Sequence, residues 1–178
     1  MNKQMLTYLM SMVIATLLAI SHSAAAQQFR LEDITPLDRQ YIDQQHQRID
    51  DLARINIGAQ LKGDRSHDLR VMQRLLDQGL ITKDDRVTLQ AIGIVMGALL
   101  KKEYGLNWVV YTDAVGRSRA LQVPGIDEFI FPATQVSRRA EVGIKVSITK
   151  VYQELQQAVA EIKKKPILFK GNERESTI

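Results

Sequence analysis

A chain of 178 residues, 45% of them apolar and 25% charged, is long enough to bury a hydrophobic core, and it fits a single compact domain. Its formal charge of +4 is too small to argue for a nucleic-acid partner. With no cysteine, a disulfide framework, a cysteine-based metal site and a lipoprotein anchor are all excluded.

The first 26 residues read as a cleaved secretory signal peptide. Lys3 forms the positive start, residues 5–20 are apolar and uncharged, and Ser23-Ala24-Ala25-Ala26 supplies the small residues of a cleavage site before Gln27. A membrane anchor is the competing reading. It would need about 20 apolar residues, and Ser21-His22-Ser23 intervenes too soon. The sequence therefore predicts export to the periplasm or medium, a domain over residues 27–166, and a flexible tail over residues 167–178.

Residues 27–34 read as a polar lead-in. Thr35-Pro36-Leu37-Asp38 then opens a helix: Thr35 caps, Pro36 suits the first helical position, and Asp38 favours the positive helix end. Apolar steps at Leu37, Tyr41, Ile49, Leu52 and Ala53 carry that helix to about Leu61, and Gly63-Asp64 breaks it. Ser66 is expected to cap a second helix ending at Gly79, and Thr82 a third, with Asp85 imitating a capping box. From Val87 to Leu100 the third helix is apolar nearly all round, which predicts a buried central helix. Gly93 and Gly97 share one of its faces and predict close approach of another backbone.

After Gly105 the period changes to two. Trp108 to Thr112 and Arg117 to Val123 form a hairpin about the turn Asp113-Ala114-Val115-Gly116, and Glu128 to Phe131 adds a short third strand stopped by Pro132. A short helix over residues 134–141 follows. The last helix, capped by Ser147, is amphipathic through Ile148, Val151, Tyr152, Leu155, Val159 and Ile162, and Pro166 closes it. The predicted architecture is α+β, with several helices packed on a three-stranded antiparallel meander. The last helix is expected to pack on the sheet of its own chain, giving a monomer rather than an oligomer.

Little in the sequence points to catalysis. His46 and His67 belong to no metal-ligand spacing, the serines lack a nucleophile elbow, and no glycine-rich loop joins a strand to a helix. No cofactor is expected. Paired carboxylates, drawn from Asp113, Asp127 and Glu128, leave open an envelope hydrolase acting on glycan or peptide. The stronger reading is a non-enzymatic binding or interaction module. Arg117, Arg119, Arg138 and Arg139 can converge on a basic patch for an acidic envelope protein or anionic polymer. Trp108 and Tyr111 fall on opposite strand faces, one predicted in the core and the other available for contact.

The middle of the chain resembles a bacterial domain-of-unknown-function family. The residues that carry the resemblance are Gly93 with Gly97, Gly105 to Trp108, Asp113 with Gly116-Arg117, and Phe131-Pro132 ahead of Arg138-Arg139, within residues 89–143. The resemblance implies a small domain with no assigned catalytic residue.

Overall fold

The structure, a computed structural model, describes residues 29–166. The signal-peptide segment and the tail from residue 167 onward lie outside the described residues. In chain order the elements are β1 (Arg30–Asp33), α1 (Pro36–Ile57), α2 (Arg65–Asp77), α3 (Arg86–Tyr104), β2 (Asn107–Asp113), β3 (Gly116–Gln122), β4 (Phe129–Ile130), α4 (Thr134–Glu141) and α5 (Ile148–Lys163). The α+β class stands. The sheet, however, has four antiparallel strands in the order β1-β2-β3-β4, not three. The added strand lies inside the supposed lead-in and pairs Arg30 with Thr112 through Asp33 with Val109. It escaped the pattern because all four of its residues are exposed and three are charged, so neither burial nor β-branching marks it.

Helix boundaries follow capping chemistry. Thr35 and Asp38 form a reciprocal capping box, and α1 ends at Ile57 rather than Leu61 because Gly58 takes the left-handed conformation at φ 61°. Asp64, not Ser66, caps α2 by accepting from the His67 N–H. Asp85, not Thr82, caps α3. Thr82 instead accepts the Asp85 N–H through its carbonyl in a tight turn, so the helix starts three residues later. Ser147 caps α5 as expected.

The helix α3 is the centre of the fold: eleven of its residues are buried, and it packs against α1 and α4. Gly97 lets the Trp108 ring and Pro132 close on it, since a Cβ there would stand 2.6 Å from the ring. The buried side of α5 packs mainly on α2, with further contacts to α3, α4 and β4, rather than on the sheet alone. Among the described residues, no helix is long and apolar enough to cross a membrane.

Between α1 and α2 the chain is tied down by one buried acid. Asp68 is fully buried, and its two oxygens accept the Lys62 and Gly63 backbone N–H groups, each at 2.9 Å. Asp68→Ala leaves both donors without an acceptor and is expected to cost about 2–3 kcal/mol in urea unfolding. A loss below about 0.5 kcal/mol would show that water satisfies the loop instead.

Candidate functional site

The arginines of β3, Arg117 and Arg119, are held by an acid 79 and 81 residues away in sequence. Asp38, on the first turn of α1, is 1% exposed. Arg117 Nη2 donates to both of its oxygens at 2.8 Å, and Arg119 donates to Oδ1 from Nε at 3.0 Å, with its Nη2 in ion-pair contact with the same oxygen at 2.9 Å. The Thr35 N–H and hydroxyl complete the set on Oδ2 at 3.0 and 2.7 Å. Burial pushes the Asp38 carboxyl upward, but the donors from the Thr35 side chain, Arg117 and the Thr35 backbone outweigh it and hold the group well below the usual carboxylate range. Asp38 is therefore an anion at any physiological pH. Arg119 also lies over the Tyr41 ring at 3.8 Å, a cation–π contact that fixes it from the other side.

This anchoring places both arginines on the wall of a cleft of about 440 Å³. The opposite wall comes from Thr134, Gln135 and Arg138 of α4 and its N-cap Ala133, while Tyr111 of β2 and Phe131, just past β4, reach in from beside the sheet. Arg138 is exposed and has no ion-pair partner among the described residues. Asp113 also lines the cleft, but its Oδ1 accepts the Val115 and Gly116 N–H groups at 2.8 and 3.2 Å, as the hairpin turn requires. Three guanidinium groups thus line a cleft in which both oxygens of Asp38 and Oδ1 of Asp113 already have donors.

On the sheet face away from the helices, Tyr111 joins a ring cluster. Its centroid is 5.1 Å from Phe29, 5.1 Å from Phe129 and 5.2 Å from Phe131. Phe29 and Leu31 at this face are 42% and 37% exposed. Tyr111 therefore links an arginine-walled cleft to an aromatic surface.

Of the residues singled out from sequence, Tyr111, Arg117, Arg119 and Arg138 meet at this cleft. Trp108 does not: it is 6% exposed and sits in the core beneath Gly97. Arg139 points elsewhere, donating to Glu154 at 2.6 Å and to the Gln135 side chain at 2.9 Å. Asp113 and Glu128 separate as well. Glu128 contacts Lys165 and lines a groove between β4 and α5, away from Asp113. Among the described residues no group of three His, Cys, Asp or Glu side chains is placed to hold a metal ion. Sequence reasoning missed Asp38 and Tyr41 as parts of the site. The capping box located Asp38 on its helix, but nothing local could show which strand lay across from it.

The fold and site together define a small α+β domain with an arginine-walled cleft at a sheet edge. Residues 68–152 match the model of DUF3806, a domain of unknown function, so the segment read as a domain-of-unknown-function family falls within that match. A solved structure from Bacteroides thetaiotaomicron VPI-5482 is similar in fold, with a TM-score of 0.67 at 19% identity over 77% of this chain. The present chain spans about half (51%) of that protein. Comparison with curated proteins gives no match.

Proposed function

We propose that the protein is an exported, non-enzymatic binding module that recognises an anionic partner at the cleft between β3 and α4. The observation that carries this reading is the convergence of Arg117, Arg119 and Arg138 on one cavity, with Asp38 pre-organising the first two. A guanidinium already held in place loses less side-chain entropy when it meets a ligand oxygen. Asp38 engages Arg117 through Nη2 alone, which leaves the rest of its planar fork for a ligand. The exported state rests on Lys3, the apolar run and the Ser23-Ala24-Ala25-Ala26 site. Mass spectrometry of the periplasmic fraction is expected to find an N-terminus at Gln27, and an intact Met1 in the cytoplasm would contradict export.

Binding is tested with polyglutamate as the anionic probe, in calorimetry at low and high salt. Retention should fall as salt screens the guanidinium groups. Replacing both Arg117 and Arg138 by Ala should weaken binding about tenfold or more, as expected for the loss of charge-assisted hydrogen bonds. Binding that ignores both salt and the double substitution would remove this reading.

A further inference from the structure

The cleft has a second property that ordinary anion pockets lack: it runs along an unfinished strand edge. The strand β3 pairs with β2 over its whole length, from Gly116 opposite Asp113 to Gln122 opposite Asn107. Its other edge is covered by β4 at two positions only, Leu121 opposite Ile130 and Gln122 opposite Phe129. Pro132 ends β4, and the chain turns away into α4. In an antiparallel ladder every second residue directs its N–H and C=O to each side. Gly116 and Ser118 lie opposite Asp113 and Tyr111 of β2 across a two-residue turn, so within residues 116–119 it is Arg117 and Arg119 that present backbone donors and acceptors with no strand beside them. Arg117, Ser118 and Arg119 line the cleft, and α4 forms its far wall.

We infer that this site takes an extended acidic peptide, which adds as a further strand to the free edge of β3 between that strand and α4. The inference rests on the anion-binding reading above and deepens it. Three features point to a peptide rather than to a small anion. The free edge is four residues long, about 13 Å at a strand's rise per residue, which suits a strand of about four residues. The cleft volume of about 440 Å³ exceeds what one carboxylate or phosphate fills. Strand side chains alternate between faces, and the cleft offers a different chemistry to each: Arg117 and Arg119 on the side of Asp38, Tyr111 and Phe131 on the other. The peptide that matches is one in which acidic residues alternate with apolar ones. Charge complementarity selects it, because an edge strand without the arginines would accept any sequence.

The test uses a labelled peptide of alternating glutamate and valine, blocked at both ends, in fluorescence anisotropy against the purified protein. Three comparison probes accompany it: the same peptide N-methylated on alternate backbone nitrogens, glutarate, and an anionic polysaccharide. The parent peptide should bind, and N-methylation on the edge-facing nitrogens should weaken it about tenfold or more by deleting the ladder hydrogen bonds. Amide resonances of residues 116–119 should shift on binding. If the N-methylated peptide or the polysaccharide binds as well as the parent, strand addition is overturned while the anionic cleft survives. If the protein forms a dimer that the peptide does not dissociate, a second copy occupies the edge and the inference is overturned. If neither peptide, glutarate nor polysaccharide binds, the anion-binding reading fails with it.

Discussion

Asp38→Ala is expected to destabilise the protein by about 3 kcal/mol, among the largest effects of any single polar substitution in the chain. Two mechanisms combine. Loss of the reciprocal capping box with Thr35 costs about 1 kcal/mol. Loss of the buried carboxylate also leaves Arg117 and Arg119 facing each other without their shared anion. A fully buried pair broken from one side costs about 3–5 kcal/mol, but these side chains are 45% and 22% exposed, so water recovers part of it. Thr35→Ala, which removes the cap and keeps the ion pairs, should cost only about 1 kcal/mol. Equal losses in the two variants would show that the arginines contribute nothing to stability.

The same carboxylate gives stability a pH dependence of known sign. The folded protein holds Asp38 below its unfolded value, so the unfolded chain binds more protons as pH falls through the acid range. The contribution is complete above about pH 4, the ordinary range of an unfolded aspartate, and is lost as pH drops toward the lower folded value. Asp38→Asn cannot titrate. Its stability should fall less steeply than the wild type below about pH 4, which acid unfolding monitored by circular dichroism can measure.

Gly93→Ala is the second substitution with a large expected effect, because it meets backbone rather than a movable side chain. A Cβ at Gly93 would stand 2.3 Å from the Pro132 carbonyl oxygen and 2.7 Å from both Cα and the carbonyl oxygen of Ala133. The whole start of α4 must retreat from α3. The expected cost is about 3 kcal/mol, even after the gain of up to about 1 kcal/mol in helix propensity. Gly97→Ala should cost less, about 2 kcal/mol, since its obstacles are the Trp108 ring at 2.6 Å and the Pro132 ring at 2.8 Å. Because Ala133 lines the cleft, Gly93→Ala should also weaken polyglutamate binding. A Gly93→Ala protein as stable as the wild type would mean that α4 is not seated where the structure places it.

Much of the fold was legible because local chemistry and burial agreed. The apolar run of α3, the amphipathic stripe of α5, the hairpin turn at Asp113 and the stop at Pro132 each follow from residues a few positions apart. Features that depend on distant partners were not legible. The strand β1 has no apolar alternation of its own beyond Leu31, with Phe29 just before it, and owes its pairing to β2 being available beside it. The same holds for the site. Arg117, Arg119, Arg138 and Tyr111 were visible as residue types on adjacent elements, yet Asp38 was visible only as a cap. Trp108 and Arg139 went the other way. A strand tryptophan and a helix arginine look available for binding until Gly97 and Glu154 are found against them.

If Asp38 organises Arg117 and Arg119, with Arg138 opposite, into a receptor for an anionic partner, a bound polyanion must perturb both walls of the cleft. The most direct measurement is an NMR titration of the protein with polyglutamate, repeated at high salt. Chemical-shift changes should be concentrated at residues 116–119 and 133–138 and should be lost when salt screens the guanidinium groups. Shifts spread evenly over the surface lysines and arginines, or absent from both segments, would contradict such a receptor.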